Sequence, residues 1–375
     1  MNSIHLFRPV VSEAAIQAVA EVLRSGWTGL GPKTQQFEQD FAKYVGSKYC
    51  VALNSCTSAL HLALHLLNLQ EGDEVISTPL TFVSTNHAIL YNRLTPVFAD
   101  VQLETACLDP KSIESRITEK TKAILVVHFG GYPADMDEIH TIARTYGLHV
   151  VEDCAHASGA MYRGQMVGSV SALNCFSFHS VKNLSVGDMG CITTDNRFYY
   201  DRLMKLRWLG IDKSTFNRTE VSTSTLNPRA YAWLYGCEEV GFKYHANDIS
   251  ATIAIEQLKL LDKENQQRVK VVSIYTQELV NVPGITLLEK SKDRISSNHI
   301  FAVRAQRRDQ LMDKLKQNDI HCGVHYRLNT RYPMYPATSL PNAEKLESEL
   351  ISLPLHLMLT EEDIQFVIDV IRKGW

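Results

Sequence analysis

The stretch Cys175-Phe176-Ser177-Phe178-His179-Ser180-Val181-Lys182-Asn183-Leu184-Ser185-Val186-Gly187-Asp188-Met189-Gly190 sets a lysine in a turn between two apolar runs. Leu173 to Phe178 reads as a buried strand and Cys191-Ile192-Thr193-Thr194 as another, which puts Lys182 where a sheet presents residues at its edge. A lysine in a turn is in most proteins a solvated surface charge, and lysines are seldom buried without a partner. One that is desolvated has its pKa lowered towards a nucleophilic amine, able to form a Schiff base with an aldehyde.

The company Lys182 keeps favours the second role. About thirty residues upstream, Leu148-His149-Val150-Val151-Glu152-Asp153-Cys154-Ala155-His156-Ala157 reads as a strand ending on a carboxylate. The carboxyl ends of strands face the crevice where open α/β sheets bind ligands. An amine for an aldehyde and a carboxylate for a pyridine nitrogen are the two groups that pyridoxal phosphate requires of a protein.

Strands and helices alternate around this pair. Cys50-Val51-Ala52-Leu53, Glu74-Val75-Ile76-Ser77, Pro96-Val97-Phe98 and the apolar run Ala123 to His128 read as strands separated by helical patterns. Such alternation implies an α/β fold with a parallel sheet and crossover helices. Ser12 to Leu23 and Thr34 to Val45 read as amphipathic helices, each stopped by a glycine. A single long helix is expected from Asp248 to Val269, leading into a smaller α+β part with a strand at Ile300 to Val303 and helices at Arg308 to Gln317 and Glu361 to Ile371. Asp212 to Asn227 reads as a long polar loop.

Composition narrows the partners. A formal charge of −3 over 375 residues, with both signs dispersed, leaves no clustered basic face for nucleic acid or an anionic membrane. The first residues lack the basic start and apolar core of a secretory signal, and no stretch approaches the ~18 apolar residues of a membrane span, so a cytoplasmic protein is expected. Eight cysteines are scattered without a Cys-x-x-Cys pair, which fits reduced, buried thiols and no metal site. No glycine-rich dinucleotide or P-loop pattern follows any strand.

Seven motifs taken together resemble the DegT/StrS family of pyridoxal-phosphate sugar aminotransferases, which have the type I aspartate aminotransferase fold. They are Gly31-Pro32, Phe37-Glu38, Asn54 to Leu60, Gly72 to Val75, Thr81-Phe82, Glu152 to His156 and Ser177 to Leu184. The resemblance implies a large cofactor domain at 1–247, with a mostly parallel seven-stranded sheet covered by helices. It implies a smaller C-terminal α+β domain at 248–375 that includes the linking helix.

It also implies site roles. Lys182 and Asp153 would be catalytic, with Ser55, Cys56, Thr57 and Ser177 at the cofactor phosphate, Phe82 on its ring and His156 near its phenolic oxygen. Ser55-Cys56-Thr57 also opens a helix, and a helix N-terminus is an anion site without any basic side chain; a capping role alone would equally suit Ser55. His179, His325 and Tyr326 would face the sugar, and Lys243 and His245 would reach the cofactor of a second subunit in a homodimer with shared sites. The implied reaction is a ping-pong Schiff-base transfer of an amino group from glutamate to a nucleotide-linked keto-deoxysugar, with C-4 favoured over C-3. Cys56, where relatives have Gly, and Asp188, Met189 and Asn329 depart from the family pattern. A cofactor-dependent sugar dehydratase is the alternative, although its relatives replace the lysine with histidine. A non-catalytic protein of the same fold is another.

Overall fold

The structure is a computed structural model and describes residues 3–212 and 235–375. Its centre is a sheet of seven strands: β1 (Tyr49–Leu53), β2 (Glu74–Ser77), β3 (Thr95–Phe98), β4 (Thr121–Val127), β5 (His149–Asp153), β8 (Leu173–Ser177) and β9 (Gly190–Thr194). Their spatial order is β1-β9-β8-β5-β4-β2-β3. Only β9 runs against the others, pairing antiparallel with both β1 and β8.

The period of two in the strand residues explains the layers. Ile76, Ile124 and Val126 join one apolar cluster, while their neighbours Val75, Ala123 and Leu125 join another. Both faces are therefore covered, which is why β4 reads as an unbroken apolar run rather than an alternating one. Helices α3 (Cys56–Leu66), α4 (Val83–Tyr91) and α7 (Arg197–Leu206) pack with the second cluster, and α5 (Pro110–Ser115) and α6 (Met136–Tyr146) with the first.

Helix α1 (Glu13–Ser25) starts where Ser12 accepts a bond from the Ala15 amide and stops at Gly26, whose φ is 74°. Helix α2 (Pro32–Val45) has no capping side chain of its own. Asp248 supplies one from far along the chain, its carboxylate accepting from the amides of Gly31, Lys33 and Thr34 and from the Thr34 hydroxyl.

The long helix expected from Asp248 is broken into α8 (Asp248–Leu258) and α9 (Leu261–Leu279). At the break the Leu260 amide donates to Gln257 rather than one residue further back, a tightened turn of the kind that bends helices. The buried Gln257 side chain is held by the Val10 carbonyl, so α8 stays against α1 and α2 while α9 continues to a second sheet. That sheet, β12 (Ile285–Leu287), β14 (Phe301–Ala305) and β15 (Leu350–Leu353), is antiparallel. Its apolar face packs with α9, α10 (Arg308–Gln317) and α12 (Glu361–Arg372) through Tyr275, Val303, Leu311 and Ile368. Helix α11 (Pro341–Glu349) precedes β15.

Short strands β6 (Met161–Tyr162), β7 (Gln165–Met166) and β13 (Arg294–Ile295) form a small sheet, and β10 (Ile211–Asp212) pairs with β11 (Gly236–Cys237). The polar loop expected from Asp212 to Asn227 lies, apart from Asp212, outside the described residues. Among the described residues no helix is long and apolar enough to cross a membrane.

Candidate active site

A cavity of about 400 Å³ opens at the carboxyl ends of β5 and β8 and at the start of α3. Its wall includes Ser55, Cys56, Thr57, Phe82, Asp153, His156, Ser177, His179, Lys182, His325 and Tyr326. Eleven of the thirteen residues proposed from sequence thus meet at one place; Lys243 and His245 do not line it.

Asp153 is the last residue of β5 and is buried. One carboxylate oxygen accepts from the Thr85 hydroxyl at 2.7 Å, the other from the Ala155 amide at 3.0 Å. The Thr81 hydroxyl lies 2.9 Å from that of Thr85. Because Thr85 spends its hydrogen on Asp153, Thr81 must donate, and the chain runs Thr81 to Thr85 to Asp153. Burial raises the Asp153 pKa above the usual range, opposed by these donors and by the Lys182 charge.

Lys182 sits in a turn beyond β8 that closes on itself, its amide donating to His179 and the Ser185 hydroxyl to Ser180. Burial pulls its ammonium down from 10.5 to about 8, while Asp153 holds it up. This shift has a stability consequence. Between pH 8 and 10.5 the unfolded chain carries a proton that the native one has lost, so the lysine's penalty is complete below pH 8 and disappears as pH rises through that window. Lys182→Met is therefore expected to stabilise the cofactor-free protein at pH 7 and to match the wild type near pH 10.5. Denaturant titrations at both pH values measure this, and a variant less stable than the wild type at pH 7 would mean that attraction to Asp153 outweighs desolvation.

Ser55 caps α3 by accepting from the Ser58 amide at 3.1 Å. Among the described residues, the first-turn amides of Cys56 and Thr57 take no partner in the chain, leaving donors and the positive end of the helix dipole at the cavity wall. Cys56 does not supply close backbone approach here; Gly190 does. A Cβ at Gly190 would lie 2.5 Å from the Cys56 nitrogen, so only glycine lets β9 pass under the helix start. The Cys56 thiol faces the Cys175 carbonyl, and burial pushes it well above the normal thiol range, an inert packing group rather than a nucleophile.

Across the cavity, His156 accepts from the Gly130 amide at Nδ1 and sits 3.0 Å from the Tyr326 hydroxyl at Nε2. Burial holds it neutral, with the Lys182 charge adding to the effect, so the proton is on Nε2 and is donated to Tyr326. The Tyr326 hydrogen is then left for the cavity. His325 bonds Ser352 through Nδ1 at 2.8 Å, and burial lowers its pKa to about 4. Phe82 is not a core residue: it caps α4 with 59% of its surface exposed, over the cavity mouth beside Tyr326. His179 is also exposed at the mouth.

Lys243 lies over the Trp208 ring at 5.5 Å, and His245 meets the same ring edge-on. Their segment is nevertheless tied to the site by its backbone, since the Asn54 amide donates to the Tyr244 carbonyl at 2.7 Å. Asn247 caps α8 by accepting from the Ser250 amide.

Several residues behind the site have a role that the sequence did not assign. Asn329 is fully buried and donates to the Thr81 carbonyl while accepting from Asn86, tying the loop after Tyr326 to the Thr81 segment. Asn183, next to Lys182, donates to Asn265 and to the Ser297 carbonyl and meets His299 at 3.2 Å. His128 is bonded on both ring nitrogens, to the Ala134 amide and to Glu152.

Known proteins resemble this chain along its whole length. The spore coat polysaccharide biosynthesis protein SpsC of Bacillus subtilis is 36% identical over 377 residues, covering 97% of this chain and 95% of SpsC. The sugar aminotransferase CalS13 from Micromonospora echinospora superposes with a TM-score of 0.91 at 30% identity, covering 99% of this chain and 100% of that one. Spr1654 from Streptococcus pneumoniae, in its PLP form, does so with a TM-score of 0.89 at 28% identity, covering 99% and 98%. The profile of one family matches residues 9–372. With an amine and a carboxylate facing one cavity at the strand ends, and that match from end to end, the chain belongs to the DegT/DnrJ/EryC1/StrS aminotransferase family.

Proposed function

We propose that this protein is a pyridoxal-phosphate-dependent aminotransferase that moves an amino group from glutamate to a nucleotide-linked keto-deoxysugar, with C-4 favoured over C-3. The observation that carries the reading is the juxtaposition of Lys182, with its ammonium near pKa 8, and buried Asp153 in one cavity that also exposes a helix N-terminus.

The residues fit the cofactor. The Cys56 and Thr57 amides with the Ser55 and Ser177 hydroxyls suit a phosphate, Asp153 a pyridine nitrogen, Phe82 a ring face and Lys182 an aldehyde, while His156 would serve a phenolic oxygen only by turning its Nε2 proton away from Tyr326. When bound, the cofactor supplies an electron sink for charge developing at the donor's Cα. Lys182 would be the base that takes the donor's Cα proton in the first half of the cycle and the acid that protonates the sugar carbon receiving the amine in the second, roles suited to an amine titrating near 8. Asp153 carries the negative charge that keeps the ring nitrogen protonated, and Thr81 and Thr85 aim it. Tyr326, already accepting from His156, offers its hydrogen to a sugar oxygen.

The test is a panel of nucleotide-linked 3-keto and 4-keto sugars with glutamate, following the return of the cofactor to its aldehyde form. Turnover of 4-keto substrates is expected. Turnover of 3-keto sugars alone would overturn the C-4 assignment, and transfer to keto acids but to no sugar would overturn the acceptor.

We further propose that the site is shared in a homodimer, Lys243 and His245 serving the partner's cofactor. In support, neither residue lines the cavity of its own chain. Lys182→Ala and the double variant Lys243→Ala/His245→Ala, each inactive alone, should regain activity when co-expressed, since each heterodimer has one intact site. Asn247 is left unchanged because it caps α8. A dead mixture with confirmed heterodimers would sink the shared site.

A further inference from the structure

A second cavity of about 300 Å³ lies between the Phe129-Gly130 turn, α9 and the strands β12 and β14. Its wall is mostly apolar, with Phe129, Tyr132, Leu287, Leu288, Ile300 and Phe301 prominent. The first cavity is a close neighbour, because the Gly130 amide that bonds His156 there belongs to this turn.

One cation faces this apolar space. Lys290 is exposed as a residue, and its ammonium donates to the side-chain amide oxygen of the buried Asn298 at 2.8 Å, a partly buried bond. The surrounding apolar wall pulls the amine down to about 8 by desolvation. Among the described residues no carboxylate pairs with it, and Glu289, the acid in the same wall, is exposed. Asn298 is itself set in place, in a left-handed conformation with φ 51°, by bonds to the Ser296 hydroxyl and carbonyl. A cation partly removed from water, fixed by a neutral amide and surrounded by apolar side chains, is short of one thing, a counter-charge.

We propose that this cavity is a second ligand site, taking a small monocarboxylate with an apolar body: the carboxylate on Lys290, the body against Phe129, Leu288 and Ile300. The chemistry distinguishes it from the first cavity, where a helix N-terminus and several hydroxyls suit a phosphate ester.

The probe is 4-phenylbutyrate, with 4-phenylbutanamide as its neutral counterpart, titrated by calorimetry and ligand-observed NMR into the full chain saturated with pyridoxal phosphate. Two variants accompany it. Lys290→Met removes the charge at an exposed position, and Thr276→Trp, on the exposed face of α9 that lines the cavity, fills it. The carboxylate is expected to bind saturably and about tenfold more tightly than the amide, the difference one charge-assisted hydrogen bond makes. Lys290→Met should bring the two ligands level, and Thr276→Trp should remove both. The proposal is overturned if the acid shows no saturable binding up to ~10 mM, a concentration well above the millimolar affinity such a fragment should reach. It is equally overturned if Lys290→Met binds the acid as the wild type does, or if binding survives Thr276→Trp.

Discussion

Lys182→Ala is expected to reduce turnover by about 10⁴-fold while leaving the fold intact and cofactor still held without a covalent link. The side chain is given two tasks, holding the cofactor aldehyde and carrying the Cα proton, and among the described residues no second amine lines the cavity to replace it. Removing it also relieves a desolvated charge, so a loss of stability is not expected to confuse the result. The residues proposed for the phosphate and ring lie at the starts of α3 and α4 and the ends of β5 and β8, and the substitution leaves them in place. Borohydride reduction and peptide mapping give the direct measurement: the wild type should carry the cofactor on Lys182. A label on another lysine would end the assignment, as would an alanine variant with ordinary activity.

Asp153→Asn should fold normally and slow both half reactions by roughly 10² to 10³, an effect of a few kcal/mol on charge stabilisation. The hydrogen bonds explain why the fold survives. An asparagine can still accept from the Ala155 amide through its oxygen, and its NH₂ can donate to Thr85 if the Thr85 hydroxyl turns its own hydrogen to Thr81. The threonine chain simply reverses, because either hydroxyl can donate. Only the charge is lost, so the rate defect isolates the carboxylate's electrostatic role. Single-turnover measurements with glutamate test it, and near-wild-type rates would mean that another group keeps the ring nitrogen protonated.

These two residues could be read from sequence because strand endings are local features. An apolar run closing on Asp153, and another followed by a turn with Lys182, need no knowledge of the rest of the chain. The residues that aim them are different. Thr85 reaches Asp153 across 68 positions and Asn86 reaches Asn329 across 243, and nothing in a lone threonine or asparagine signals such a partner. Asn329 read only as a departure from a family pattern, whereas packing makes it a tie between two segments. The helix from Asp248 was misjudged for a related reason: its apolar pattern continues past Leu258, while the bend comes from a buried glutamine that seeks Val10 at the other end of the chain.

The Asn86-Asn329 tie has a practical corollary for anyone wishing to redirect this enzyme to another acceptor. It joins the loop behind Tyr326 to the segment that feeds hydrogen bonds into Asp153, so reshaping that loop would disturb catalysis and selectivity together. The freer positions are those on the cavity rim to which no cofactor contact is given: His179 and Asp188, both exposed at the mouth. A library confined to these two would explore new sugars while Phe82 and the machinery behind it stay fixed.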